Sequence, residues 1–184
     1  MKKVFGLLII LSCFLYACND APATTENTAA APAATEASTT PTDKEWGDDK
    51  YSKMAADGLA HLVSGDVDGW MALFADNAQY RYNNLDSVVG KQAITEYWKK
   101  RRADVIDSLS FTNEVWLSIK VNKPQAPVQR VGNYALVWNT VYAKYKTGKS
   151  MKQRMHVLFH FDANDKIDMV SQYQDNALIM AAAK

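Results

Sequence analysis

Val131 to Ala177 constrains the fold of this chain more than any other stretch, because it reads as three consecutive β-strands. Apolar and aromatic residues alternate through Tyr134, Leu136, Trp138, Thr140 and Tyr142, and again through Met155, Val157, Phe159 and Phe161. Turn signals separate the runs at Thr147-Gly148-Lys149-Ser150 and at Ala163-Asn164-Asp165-Lys166. A sheet face that carries so many large side chains has to be covered, and the helical patterns upstream can cover it.

Those patterns begin with a helix expected from about Asp49 to Val63, with Tyr51, Ala55, Leu59, Leu62 and Val63 on one face and Ser64-Gly65 as its stop. Asp68 stands where an N-cap belongs, ahead of a short helix bearing Trp70, Leu73 and Phe74. Ala78 to Tyr82 reads as a short strand and Asn83 to Gly90 as a loop. A third helix starts at Lys91, with Ile94, Tyr97, Trp98 and Val105 at helical spacing. Leu109 to Val121 is a long strand, Asn122 to Arg130 a loop containing Pro124 and Pro127, and a small tail follows the meander. The expectation is an α+β fold, three N-terminal helices packed on a curved, mainly antiparallel sheet.

The first 45 residues have a different character. Lys2 and Lys3 precede an apolar run from Val4 to Leu15, too short for a membrane-spanning helix of about 20 residues. The run ends at Leu15-Tyr16-Ala17-Cys18, which resembles the lipobox of bacterial lipoprotein signal peptides. That resemblance implies that residues 1–17 are removed, that Cys18 is lipidated, and that the protein is tethered to a membrane of the cell envelope. The only cysteines are Cys13 and Cys18, so the folded part has no thiol for a disulfide. Residues 18–45 are rich in Ala, Thr and Pro and hold too little apolar surface to offset their chain entropy, which predicts a disordered tether. Residues 46–184 are left as one domain. They carry 18 Lys and Arg against 15 Asp and Glu, a net charge of +3, too small and dispersed for a nucleic-acid footprint.

Strand pairing sorts the faces. With Gly148-Lys149 as a two-residue turn, Lys146 pairs with Met151, Trp138 with Phe159 and Tyr142 with Met155. With Phe161 opposite Ile167, Tyr173 falls opposite Met155 and Asp175 opposite Gln153. The inward face then carries Leu136, Trp138, Thr140, Tyr142, Met155, Val157, Phe159, Met169, Ser171, Tyr173 and Asp175, apolar at one end and polar toward the other. A slip of one residue would invert this sorting. His156 and His160 fall outward, on an outer or dimer-interface surface, and His61 has no evident partner. No histidines and carboxylates stand at a ligand spacing, so no metal is expected, and nothing calls for a cofactor. Asp66-Val67-Asp68-Gly69 is not a calcium loop, because Trp70 and Asn77 replace needed ligands. Gly148-Lys149-Ser150 is not a P-loop, because Ala143 stands at the first glycine position. Lys99 to Arg102 reads as a solvated charge run.

Several short motifs, in order, resemble the nuclear transport factor 2-like (NTF2-like) superfamily and its SnoaL-like branch. They are Gly65-Asp66, Leu73-Phe74-Ala75-Asp76-Asn77-Ala78, Val89-Gly90-Lys91-Gln92-Ala93-Ile94, Gly132-Asn133-Tyr134-Ala135, Phe161-Asp162-Ala163-Asn164-Asp165-Lys166-Ile167 and Tyr173-Gln174-Asp175. The resemblance implies a cone, a curved sheet wrapped on helices with a pocket in its mouth. In the ketosteroid isomerase branch an aspartate at the end of the first strand is the base, and that position falls on Tyr82, which at a pKa of about 10 cannot serve so near neutrality. In the SnoaL branch an aspartate near the end of the last strand is the general acid/base. Asp175 resembles it, although the accompanying histidine falls on Phe161.

The resulting expectation is a lipid-anchored protein that binds a small, largely apolar ligand through Tyr82, Trp98, Trp138, Tyr142, Met155 and Tyr173. Two alternatives stay open: an isomerase, cyclase or hydrolyase using Asp175, and a structural module that forms a homodimer through the outward sheet face.

Overall fold

The computed structural model describes residues 42–184. The expected signal segment, Cys18 and the expected tether up to residue 41 lie outside the described residues. In chain order the elements are β1 (Lys44–Trp46), α1 (Lys50–Ser64), α2 (Val67–Ala72), β2 (Phe74–Tyr82), β3 (Ser87–Val89) and α3 (Lys91–Lys100). The chain continues through a π-turn over Arg101–Val105 into β4 (Ile106–Val121), β5 (Gly132–Tyr145), β6 (Ser150–Phe161), β7 (Ile167–Tyr173) and α4 (Asn176–Ala183). One seven-stranded sheet has the order β1-β4-β5-β6-β7-β2-β3. All neighbours are antiparallel except β2 and β7, which run parallel. An extra residue in β4 between Thr112 and Val115, with Asn113 at a φ of 52°, bends the long strand and helps to curve the sheet.

The helices lie on the inner face for the reason their spacing gives. Tyr51, Ala55, Leu59 and Leu62 form one buried stripe of α1. Gly58 lets α1 approach α2 closely: a Cβ there would stand 2.5 Å from the Trp70 ring. Trp70 meets Phe74 and Phe159 edge-on, at centroid distances of 4.8 and 6.1 Å, and anchors the core. Burying a side chain of the size of Phe159 or Ile167 contributes about 1.5–3 kcal/mol.

The structure adds three elements to those expected, moves one helix cap and places Phe74 in β2 instead of the second helix. Lys44–Trp46 pairs with β4 as an edge strand, so the sheet begins before residue 46. Ser87–Val89, expected as loop, pairs with β2. The tail after the meander contains α4, a fourth helix beyond the three expected. The cap of α2 is Asp66, whose carboxylate accepts from the Gly69 amide at 2.8 Å, whereas Asp68 pairs with Lys99.

Two details of the meander decide the faces. The β5–β6 hairpin turns through the three residues Lys146-Thr147-Gly148. The Gly148 amide donates to the Tyr145 carbonyl, the Tyr145 amide donates to the Lys149 carbonyl, and Gly148 takes a φ of +86°. The register therefore shifts by three residues from the two-residue turn, and an odd shift exchanges faces. Trp138 stands opposite His156, and Tyr142 opposite Lys152. In β7, Asp168 is an extra residue: Phe161 pairs with Ile167 but His160 with Met169. That bulge places Val170 and Gln172 inside and Met169, Ser171 and Tyr173 outside.

The outer face is partly covered by the segment between β4 and β5. His160 lies there as expected, but it is only 3 % exposed rather than a free surface. Its Nδ1 bonds the Asp168 carboxylate and its Nε2 faces the Val131 carbonyl at 3.0 Å. Arg130 also donates to Asp168, at 2.6 Å. Burial pushes the Asp168 carboxyl up, but the bond and charge of His160 and the charge of Arg130 outweigh it, holding the group below the usual carboxylate range.

Candidate functional site

The inner face of the sheet, α1, α3 and α4 enclose a chamber with two levels. The deeper level, between Leu59, Leu62, Phe111, Val141, Met155 and Val157, has about 50 Å³ of free space. Above it, the mouth opens between the β2–β3 hairpin, α3 and α4, with about 410 Å³. The mouth falls within the range of small-molecule sites, roughly 300–1,000 Å³, whereas the deep level holds a few waters at most. Trp98, Arg101, Gln172, Gln174 and Ile179 line both levels.

Each wall follows from local sequence. In β2 the period-two pattern sends Tyr80 and Tyr82 inward. In α3 the helical period puts Ile94, Tyr97 and Trp98 toward the sheet, and Arg101 follows Tyr97 by one turn. α4 starts at Asp175, whose carboxylate accepts from the Ala177 amide at 2.8 Å. Its C-terminal carbonyls receive the Thr147 hydroxyl at 2.7 Å and the Lys149 ammonium at 3.3 Å, so the β5–β6 hairpin ties the helix across the mouth.

The deep level is apolar and aromatic, whereas the mouth adds polar side chains such as Asn84, Asp86, Ser87, Gln174 and Asn176. Tyr80 and Trp98 meet at 5.8 Å, Tyr80 and Tyr82 at 5.3 Å, and Tyr82 and Tyr97 at 6.1 Å. The Tyr80 hydroxyl donates to the Gln172 side-chain carbonyl, and the Gln172 amide donates to Gln174. By contrast, the Tyr82 hydroxyl and the Trp98 indole N–H are buried with no hydrogen-bond partner. Burial pushes the Tyr80 and Tyr82 hydroxyls far above the usual phenol range, so both remain protonated. No Asp, Glu or His lines the deep level. Among the described residues no group of three His, Cys, Asp or Glu could hold a metal, and no helix is long and apolar enough to cross a membrane.

Three of the candidates named from the sequence meet in this chamber: Tyr82, Trp98 and Met155. Three others do not, because the hairpin loop and the bulge turn them outward. Trp138, Tyr142 and Tyr173 are 44, 40 and 52 % exposed on the outer face. Asp175 is exposed and serves as the cap of α4 instead of facing the pocket. Sequence reasoning missed Tyr80, Gln172, Gln174, Ile179 and Arg101. Arg101 had a readable signal, the helical spacing from Tyr97 and Trp98, hidden inside a run of four basic residues.

A groove of similar size, about 420 Å³, lies on the outer face between Leu85, Val128, Tyr134 and Met169. Two of its polar side chains are already paired: the Tyr134 hydroxyl bonds the Arg130 backbone, and Arg81 donates to Gln79. The unpartnered Trp98 N–H, which lines both levels of the chamber and not this groove, selects the chamber as the candidate site.

The family model for the SnoaL-like domain matches residues 55–169. No curated protein matches the chain by sequence. Among solved structures, a candidate polyketide cyclase from Pseudomonas putida is similar at a TM-score of 0.58 and 14 % identity, over 73 % of this chain and 98 % of that one. A candidate isomerase from Bacillus subtilis is similar at 0.57 and 16 %, over 72 % and 92 %. An epoxide hydrolase of M. tuberculosis is similar at 0.56 and 12 %, over 73 % and 89 %. At these identities the likeness concerns the fold. The match over residues 55–169, together with the curved sheet and its helices, shows that the chain belongs to the SnoaL-like family and has an NTF2-like fold.

Proposed function

We propose that this protein is a lipid-anchored envelope protein whose SnoaL-like domain binds a small, largely apolar molecule in the chamber beneath α4. The observation that carries the binding reading is the pairing of aromatic walls with buried donors on Tyr82 and Trp98 that lack partners within the chain. A buried unpaired donor costs about 1–3 kcal/mol, and a bound acceptor would recover it. The mouth supplies the volume, and Tyr80, Tyr97 and Trp98 supply apolar area. Anchoring rests on Leu15-Tyr16-Ala17-Cys18. Asp175 has no part in this reading, because it is exposed and committed to its helix.

The test is titration of the full-length protein with a neutral apolar fluorophore, N-phenyl-1-naphthylamine, in the wild type and in Ile179→Trp, which places an indole in the mouth. Saturable binding that weakens at least tenfold in the variant, at unchanged melting temperature, is expected. Equal binding by both proteins would place the probe elsewhere, and no saturable binding would end the reading.

A further inference from the structure

Arg101 is the charged group of the inner chamber that has no structural task. Its neighbour Arg102 turns the other way and donates to the Val63 carbonyl at 3.3 Å, at the C-terminal end of α1. Arg101 makes no ion pair and no side-chain hydrogen bond among the described residues, yet it is half-buried and lines both levels of the chamber. Its guanidinium lies 5.6 Å from the Tyr97 ring centroid, one helical turn earlier, which holds the side chain against the aromatic wall. Burial pushes the Tyr80, Tyr82 and Tyr145 hydroxyls up, and the Arg101 charge partly offsets this at all three. Arg101 thus shares the chamber lining with the Tyr82 side chain at the mouth and with Tyr80 and Tyr145 at the deep level. The carboxylate at the outer lip, Asp86, is exposed and accepts from the Asn84 amide at 2.5 Å.

We propose that the chamber is built for a small apolar carboxylate, with Arg101 as counter-ion and the Tyr82 hydroxyl and Trp98 N–H as further donors. This rests on the binding reading above and narrows it from an apolar molecule to an amphipathic acid. A guanidinium offers a planar fork that matches a carboxylate, and a site sheltered from water strengthens that pairing. The buried Trp98 N–H points to an acceptor as well, because an indole can only donate, and the Tyr82 hydroxyl can donate to the same group. The apolar body of the ligand lies against Trp98, Tyr97 and Ile179.

The experiment compares 2-naphthoate with 2-naphthalenemethanol, which share a ring system and differ in charge, by calorimetric titration of full-length wild type, Arg101→Gln and Arg101→Lys. Wild type is expected to bind the acid at least tenfold more tightly than the alcohol. Arg101→Gln should bring the two within about threefold by weakening the acid alone, and Arg101→Lys should keep part of the preference. Equal affinities in wild type, or a preference untouched in Arg101→Gln, would overturn the carboxylate assignment while leaving the apolar chamber standing. Failure of both compounds to bind would overturn this assignment and the binding reading together.

Discussion

Trp138 and His156 face each other across β5 and β6 on the outer side of the sheet, with ring centroids 4.5 Å apart and planes inclined by 21°. Tyr173 continues the stack from β7, 5.8 Å from His156. The His156 Nδ1 lies 3.0 Å from the Val137 carbonyl, which fixes the ring between its neighbours. Trp138 therefore contributes through stacking and partial burial, not as a core side chain. Trp138→Ala is expected to cost about 0.5–1.5 kcal/mol, the scale of an aromatic pair. Trp70→Ala, which empties the centre of the core, should cost about 3–5 kcal/mol. Urea denaturation of both variants checks the contrast, and equal losses would contradict the outward placement of Trp138.

Asp175 caps α4 with an exposed carboxylate. Asparagine caps as well as aspartate, so Asp175→Asn should leave stability and ligand affinity within about 0.5 kcal/mol of wild type. Asp175→Ala should lose about 1 kcal/mol and loosen α4, read as faster amide exchange over Asn176–Ala183. A 10²–10⁴-fold fall in some measured turnover in Asp175→Asn, with the fold intact, would return the residue to the role of general acid/base.

The Arg130–Asp168–His160 cluster predicts an acid-sensitive contribution to stability. The Asp168 carboxyl titrates lower in the folded chain than in the unfolded one. Its stabilisation is then full above the unfolded value of about 4 and is lost as pH falls from there through the folded value. Arg130 is partly exposed, which discounts the pair, so Asp168→Asn should cost about 1–3 kcal/mol near neutrality. The difference from wild type should shrink below about pH 4. Melting curves of both proteins between pH 3 and pH 7 measure it, and a difference independent of pH would show that the carboxylate charge is not what stabilises the bulge.

The proposed lipid anchor gives a separate prediction. Cys18→Ala should abolish acyl labelling and move the protein out of the detergent phase in a partition assay, because two or more acyl chains are needed for a stable hold. Proteolytic cutting ahead of Thr42 should leave the domain's melting unchanged. Removal through Trp46 should lower it, since β1 contributes its pairing to β4 and the ion pair of Glu45 with Lys120 at 2.9 Å.

The order of α1 to α3, β2 and β4 to β7 was legible in the sequence because each of these elements is a local pattern, whereas β1, β3 and α4 were not. The stripe Tyr51, Ala55, Leu59 and Leu62, the alternation in β5 and β6, and the glycines at the turns follow from periods of 3.6 and 2. The helical period placed Trp98 inward, strand alternation placed Met155, and the family resemblance placed Tyr82 at the pocket. What tertiary structure decided was register. Lys146-Thr147-Gly148 and Gly148-Lys149 are both workable hairpin loops, and the choice between them carried Trp138 and Tyr142 to the other face. The bulge at Asp168 forms where its carboxylate meets His160 and Arg130, partners supplied by β6 and by the segment ahead of β5. That bulge sent Tyr173 outward and Gln172 inward. Arg101 was hidden for a related reason: a charge run looks solvated until the sheet and α4 close over one side of its helix and leave one guanidinium facing the chamber.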